Sequence, residues 1–210
     1  MTLAAHAPDT LALFPLRTVL FPGGRLSLKV FEARYLDLVS SCMREQQPFG
    51  VVCLLQGGKV RKPGAAAVTT RFEPMGVLAQ LVEVDAMSPG VLKVRCAGGA
   101  RFQWTTLQEN RDGLWQASGV TLLPNDPAEP PGERFADAVQ ALQRAYAALA
   151  QRPEAELPDE QHFDDAGWVA NRWCELLPVP LAARQQLMAL TDPLQRLGLV
   201  DEFLRSKQLI

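Results

Sequence analysis

Leu13-Phe14-Pro15-Leu16-Arg17-Thr18-Val19-Leu20-Phe21-Pro22-Gly23-Gly24-Arg25-Leu26-Ser27-Leu28-Lys29-Val30-Phe31-Glu32-Ala33-Arg34-Tyr35 holds a short strand, a Pro-Gly-Gly turn, an alternating strand and the start of an amphipathic helix. Leu26, Leu28 and Val30 alternate with Ser27 and Lys29, the period-two pattern of a half-buried strand. Phe31, Tyr35, Leu38, Val39 and Cys42 then recur at three- and four-residue spacing, which predicts a helix anchored by that stripe. Its opposite face carries Glu32, Arg34, Asp37, Ser40, Arg44 and Glu45, while Leu36 and Met43 widen the apolar side. The helix must stop before Pro48, whose ring clashes with the preceding turn.

Beyond this stretch, period two or short apolar runs continue to about Leu123. Phe49 to Leu55 is an unbroken apolar run of strand length, closed by Gly57-Gly58. Val77 to Val84 reads as another strand. Val91 to Cys96 alternates and closes at Gly98-Gly99, which, like Gly23-Gly24, reads as a turn supplying positive φ. Phe102 and Trp104 share one face of the next strand, and Asn110-Arg111-Asp112-Gly113 turns the chain into Trp115. Many short strands with one inserted helix and no βαβ rhythm point to a closed or nearly closed barrel rather than a parallel sheet.

The pattern changes after Leu123. Pro124 to Gly132 is proline-rich and reads as a linker. Phe135, Val139, Leu142, Tyr146 and Leu149 then form a helical stripe in an alanine-rich background. Asp164 or Asp165 can cap a second helix presenting Val169, Trp173, Leu176 and Leu177. Leu181 to Leu190 is a short third helix. Thr191-Asp192-Pro193 opens a fourth, with Leu194, Leu197, Val200, Phe203 and Leu204 on one face. The expected organisation is α+β: a barrel domain over 10–124, a linker over 125–132 and a helical bundle over 133–207.

With 48% apolar residues and a formal charge of −2, a chain of 210 residues can bury a substantial core. That charge argues against non-specific nucleic-acid binding, which needs a concentrated positive footprint. The N-terminus does not read as a signal peptide, and no run approaches the ~18 apolar residues of a membrane span. Cys42, Cys53, Cys96 and Cys174 form no C-x-x-C pair and read as buried thiols of a reducing cytoplasm.

Reaction chemistry finds little support. His6 and His162 are the only histidines; neither belongs to H-E-x-x-H, and there is no G-x-S-x-G elbow. No metal or cofactor site is expected. Gly57-Gly58-Lys59 and Lys62-Pro63-Gly64 lack the spacing of a phosphate loop, so Gln56 to Ala67 reads as a basic hairpin tip or loop. The acidic pairs Glu129 with Glu133, Glu154 with Glu156, and Asp164 with Asp165 fall in linkers or at a helix start.

Leu13 to Arg17, Val19 to Gly24 and Leu28 to Tyr35 together resemble the opening of the N-terminal, substrate-binding domain of Lon proteases. Gly76 to Val84 is similar to that family's G-T-L-A-x-I strand, and Val94 to Phe102 to its V-x-G-x-x-R-F hairpin. Gln185 to Leu197 is similar to the domain's helical end. The likeness runs from about residue 11 to 206. It implies a PUA-like β-barrel (the pseudouridine-synthase-and-archaeosine-transglycosylase type) followed by a helical bundle. The nearest class is the freestanding bacterial Lon-substrate-binding-domain-like protein. With no P-loop and no room for a protease module before Ile210, ATPase or Ser-Lys protease activity is not expected to follow from the resemblance.

The resemblance implies a non-enzymatic module that binds unfolded protein or peptide, with no membrane partner and no specified oligomeric state. Its contacts are expected from Phe14, Phe72, Trp104 and Trp115, in a groove between barrel and bundle. An RNA-binding module is the alternative, because aromatics beside basic groups can stack on bases. It requires Arg61, Lys62, Arg71, Arg95 and Arg101 to form one positive face. An enzyme or enzyme-associated subunit would need a buried polar constellation with perturbed titration.

Overall fold

The computed structural model describes residues 8–56 and 70–210. The architecture is α+β, with strands β1 (Thr10–Leu16), β2 (Arg25–Val30), β3 (Phe49–Gln56), β4 (Arg71–Ser88), β5 (Val91–Gln103), β6 (Thr106–Glu109), β7 (Trp115–Ser118) and β8 (Thr121–Leu122). Helix α1 (Ala33–Glu45) lies between β2 and β3, and α2 (Ala136–Leu149), α3 (Ala166–Leu176), α4 (Leu181–Ala189) and α5 (Pro193–Ser206) follow the strands.

The sheet corrects the expected PUA-like barrel. Its strands run in the order β2-β5-β4-β3-β1-β7-β6, with β8 paired to β5 beside that path. Among the described residues the terminal strands β2 and β6 do not pair with each other, and the sheet is open. It is also mixed, because β1 and β3 run parallel with Leu13 opposite Gly50 and Leu16 opposite Cys53. The connection between them contains β2 and α1, a crossover of the length that parallel pairing needs. Strand length is a second correction. β4 and β5 form one long hairpin, and β5 runs straight through Gly98 and Gly99 to Gln103.

The Pro22-Gly23-Gly24 turn locks onto β5. Gly23 has φ +71° and donates its N–H to the Gly98 carbonyl at 2.8 Å, while Gly98 N–H donates to the Gly24 carbonyl at 2.9 Å. A Cβ on Gly98 would lie 2.1 Å from the Phe21 carbonyl oxygen. Gly98 therefore serves close backbone approach, and neither it nor Gly99 adopts positive φ.

Helix α1 starts two residues later than its stripe suggests, with Glu32 at the N-cap. Tyr35, Leu38, Val39 and Cys42 are buried, whereas Phe31 precedes the helix and is 64% exposed. Helices α3 and α5 start at their sequence caps, although Leu176 and Leu194 of the expected stripes are exposed. Asp165 caps α3 by accepting from Trp168 N–H at 2.6 Å, and Asp192 caps α5 by accepting from Gln195 N–H at 2.9 Å.

One large core joins Phe14, Phe21, Phe49, Val94 and Cys96 of the sheet region to Phe135, Leu142, Trp168, Met188 and Leu204 of the helices. A smaller core gathers Leu11, Leu13, Val52, Phe102, Ala117 and Val120. Glycines seat the Phe102 ring there: a Cβ on Gly50 or Gly76 would come within 2.5 or 2.7 Å of its Cζ.

Candidate functional site

At the far end of the β4–β5 hairpin, α1 and the hairpin tip leave a groove. Leu36 and Ser40 line it from the helix, and Ala86, Ser88, Pro89, Val91 and Leu92 line it from the tip; its volume is about 540 Å³. The sequence creates it locally. Val30 pairs with Leu92 and Leu92 with Ala86, so the end of β2 and both hairpin arms meet there. Phe31 comes one residue after the Val30–Leu92 pair, and Met87 one residue after Ala86. Met43 continues the Leu36–Ser40 row of α1 at helical spacing. Phe31, Met87 and Met43 are 64%, 57% and 53% exposed. None of the three is among the residues that line the groove; they adjoin its lining residues along the chain, the helix or the β2–β5 ladder.

A second cleft, of about 490 Å³, lies where the sheet meets the helices. Pro22, Gly23, Asn125 to Asp126, Ala128 to Pro130, His162, Asp164 to Asp165, Gly167 to Trp168 and Asn171 line it. Its lining mixes the carboxylates of Asp126, Glu129, Asp164 and Asp165 with the apolar surface of Pro22, Ala128, Pro130 and Trp168. Phe14, Phe72, Trp104 and Trp115 do not reach it. Phe14 is buried and stacked on Tyr35 with ring centroids 4.0 Å apart. The other three are half-buried at the margin of the smaller core. Phe72 meets Trp115 edge-on at 5.2 Å, and Trp104 packs beside Phe102 at 5.7 Å.

The polar floor of that cleft is a structural joint. Arg101, 2% exposed, donates from Nη1 to Asp126 Oδ1 at 2.7 Å and from Nε to the Met188 carbonyl at 2.6 Å. Arg196 donates from Nη1 to Asp126 Oδ2 at 2.8 Å and to Asn171 Oδ1 at 2.9 Å. Burial pushes the Asp126 carboxyl up, but the hydrogen bonds from Arg196 and Arg101 outweigh it and hold the group below its usual range. Both oxygens of Asp126 are engaged by guanidinium donors, so it offers no general base. Nearby, Arg172 donates from Nη2 to the Pro22 carbonyl at 2.9 Å and to Glu175 Oε1 at 3.0 Å. Burial raises the Glu175 carboxyl to about 7 against the pull of Arg172 and Arg184.

Burial pushes the thiol of Cys42 up to about 11 and those of Cys96 and Cys174 to about 12, which keeps them protonated at neutral pH. Among the described residues, no group of three or more His, Cys, Asp or Glu side chains could hold a metal ion.

The expected basic face does not assemble from its described members. Arg101 is buried in the joint, Arg95 is bridged to Glu83, and Arg71 is exposed at the start of β4. Arg61 and Lys62 lie outside the described residues.

A family model for the ATP-dependent protease La (LON) substrate-binding domain matches residues 10–206. The chain belongs to this family. The Lon substrate-binding domain is the only part of Lon that this match covers, and the catalytic modules are outside it. The chain is 25% identical over 193 residues to the Lon protease of Parabacteroides distasonis, covering 90% of this chain and 23% of that protein. It is 26% identical over 203 residues to Lon protease 2 of Myxococcus xanthus, covering 96% of this chain and 24% of that one. It thus spans about a quarter of the length of these curated relatives. A Lon N-terminal domain protein from Xanthomonas campestris superposes with TM-score 0.69 at 29% identity, over 91% of this chain and 96% of that chain. The N-terminal domain of Mycobacterium avium complex Lon protease shares the fold, with TM-score 0.61 at 16% identity over 92% of this chain and 96% of that one. The motifs that signal the Lon domain in sequence are therefore joints of the fold: the Pro-Gly-Gly turn docks on Gly98, and Arg101 holds Asp126.

Proposed function

We propose that this Lon substrate-binding domain binds unfolded or extended polypeptide, without catalysis, through the groove between α1 and the β4–β5 hairpin tip. The observation that carries this reading is an apolar groove lined by Leu36, Ala86, Pro89, Val91 and Leu92, with the exposed Phe31, Met43 and Met87 adjoining its lining residues along the chain, the helix or the β2–β5 ladder. Binding there is tolerant of sequence, because a methionine-flanked apolar groove asks for bulk rather than for a hydrogen-bond pattern. It is only modestly salt-dependent. The four buried, unpaired thiols suit the reducing cytoplasm, and among the described residues no helix is long and apolar enough to cross a membrane.

The test is fluorescence anisotropy with a labelled, carboxymethylated and permanently unfolded protein, titrated against the native chain and Phe31→Ser. Fully burying a phenylalanine contributes roughly 1.5–3 kcal/mol, so the variant should bind about tenfold or more weakly. Equal binding by both would remove the groove from the reading. RNA binding is less well supported, because the basic candidates among the described residues are dispersed, bridged or buried. Steep loss of RNA affinity with added salt would revive it.

A further inference from the structure

The groove accounts for side-chain contacts and leaves unused the backbone edge that runs up to it. Among the described residues, strand β2 ends the sheet and pairs only with β5, in unbroken register from Arg25 opposite Ala97 to Val30 opposite Leu92. Gly98 N–H donates to the Gly24 carbonyl, so residue 24 faces β5. Because an antiparallel ladder alternates, Leu26, Leu28 and Val30 also direct their backbone groups to β5, and Arg25, Ser27 and Lys29 direct theirs outward. Among the described residues, no backbone hydrogen bond beyond the β2–β5 ladder reaches those outward groups. Ser27 and Lys29 are exposed, and β2 contains neither proline nor a bulge. It lacks two devices that commonly block pairing at a sheet edge.

Side chains along this edge form two rows. Leu26, Leu28 and Val30 lie on the core side, and Arg25, Ser27 and Lys29 on the other. The charged members of β2 are both basic, and Arg25 already holds the carboxylate of Asp159 from the α2–α3 connection. An added strand would lie about 4.8 Å away and meet both rows at once. A second copy of β2 would bring basic residues toward basic residues, which disfavours self-pairing. We propose that β2 receives an extended polypeptide as an additional strand, selecting segments in which acidic and apolar residues alternate and running toward the groove between α1 and the β4–β5 hairpin tip. This rests on the polypeptide-binding reading and adds to it a backbone-directed mode and a preferred chemistry.

Proline at position 27 removes one outward N–H and spares the groups that bond β5, a placement edge strands tolerate. The probes are a labelled octapeptide alternating glutamate and leucine, its lysine–leucine counterpart, and the glutamate–leucine peptide N-methylated at alternate residues. The native chain should bind the acidic peptide at least tenfold more tightly than the basic one. Ser27→Pro, with an unchanged melting temperature, should lose at least tenfold, and N-methylation should cost the same with the unaltered protein. Equal binding of the plain and N-methylated peptides would overturn strand addition, whatever Ser27→Pro does to folding. If unfolded protein still binds and Phe31→Ser abolishes it while the backbone-blocked probes bind normally, the groove stands and the edge falls. If neither unfolded protein nor peptide binds the native chain, both readings fall.

Discussion

Asp126 sits in a proline-rich stretch that reads as a linker, yet it joins Arg101 of the sheet to Arg196 of α5. Removing one partner of a buried ion pair leaves charge uncompensated, so Asp126→Asn should lower unfolding free energy by about 3–5 kcal/mol in urea denaturation. Its folded acidity is lowered by the two arginines. The stabilisation is therefore fully present above the unfolded carboxylate value of about 4 and is lost as pH falls through the lower folded value. The Asn variant should show a shallower acid limb. Glu175 works in the opposite sense: raised to about 7, it contributes stability below its unfolded value that disappears as pH rises through about 7. Glu175→Gln should flatten the stability profile between about pH 4.5 and 7, read as melting temperature against pH. The role of Asp126 was not legible in sequence, because a lone carboxylate in a loop carries no periodicity and its partners lie 25 and 70 residues away. Phe31 was misread for a different reason. It continues the spacing of Tyr35 and Leu38, but the helix begins only at Ala33, so the stripe extends one residue into extended chain that points to water.

At the scale of elements, the alternation in β2, the stripes of α1 and α2, and the capping aspartates of α3 and α5 were readable because each signal is local. The open, mixed sheet was not. Short apolar runs separated by glycine suggest many strands that close on themselves, but Gly98 and Gly99 interrupt the pattern without interrupting β5. Parallel pairing of β1 with β3 is a long-range outcome of the α1 crossover, which no residue of either strand announces. The glycine in β5 provides a direct check. Gly98→Ala places a methyl group 2.1 Å from a backbone oxygen of the Pro-Gly-Gly turn, where no side chain can yield. The variant should be destabilised by at least the 1–3 kcal/mol typical of overpacking, measured as a lower denaturation midpoint. Gly90→Ala supplies the contrast, because nothing lies within 4 Å of its Cβ position; its φ of +75° leaves backbone strain as the cost. Loss from Gly98→Ala should be the larger.

Across the whole molecule, the continuous core binds helices to sheet while the apolar groove opens at the opposite end from the polar joint. This separation predicts that recognition and stability respond to different substitutions: Asp126→Asn weakens the fold, and Phe31→Ser weakens binding with little change in melting temperature. Family membership was legible in the Leu13–Tyr35 stretch, whose Pro-Gly-Gly turn docks on β5 through Gly98. The proposed binding groove was not, since the aromatics that looked suited to contact are packed in or beside the two cores, and the groove's lining comes together only where α1 meets the β4–β5 hairpin. The most direct measurement is the anisotropy titration of permanently unfolded protein against the native chain, Phe31→Ser and Asp126→Asn, at a temperature where all three are folded. The account predicts saturable binding by the native chain and Asp126→Asn, and affinity at least tenfold weaker for Phe31→Ser. Equal affinity for all three, or no binding by the native chain, would contradict it.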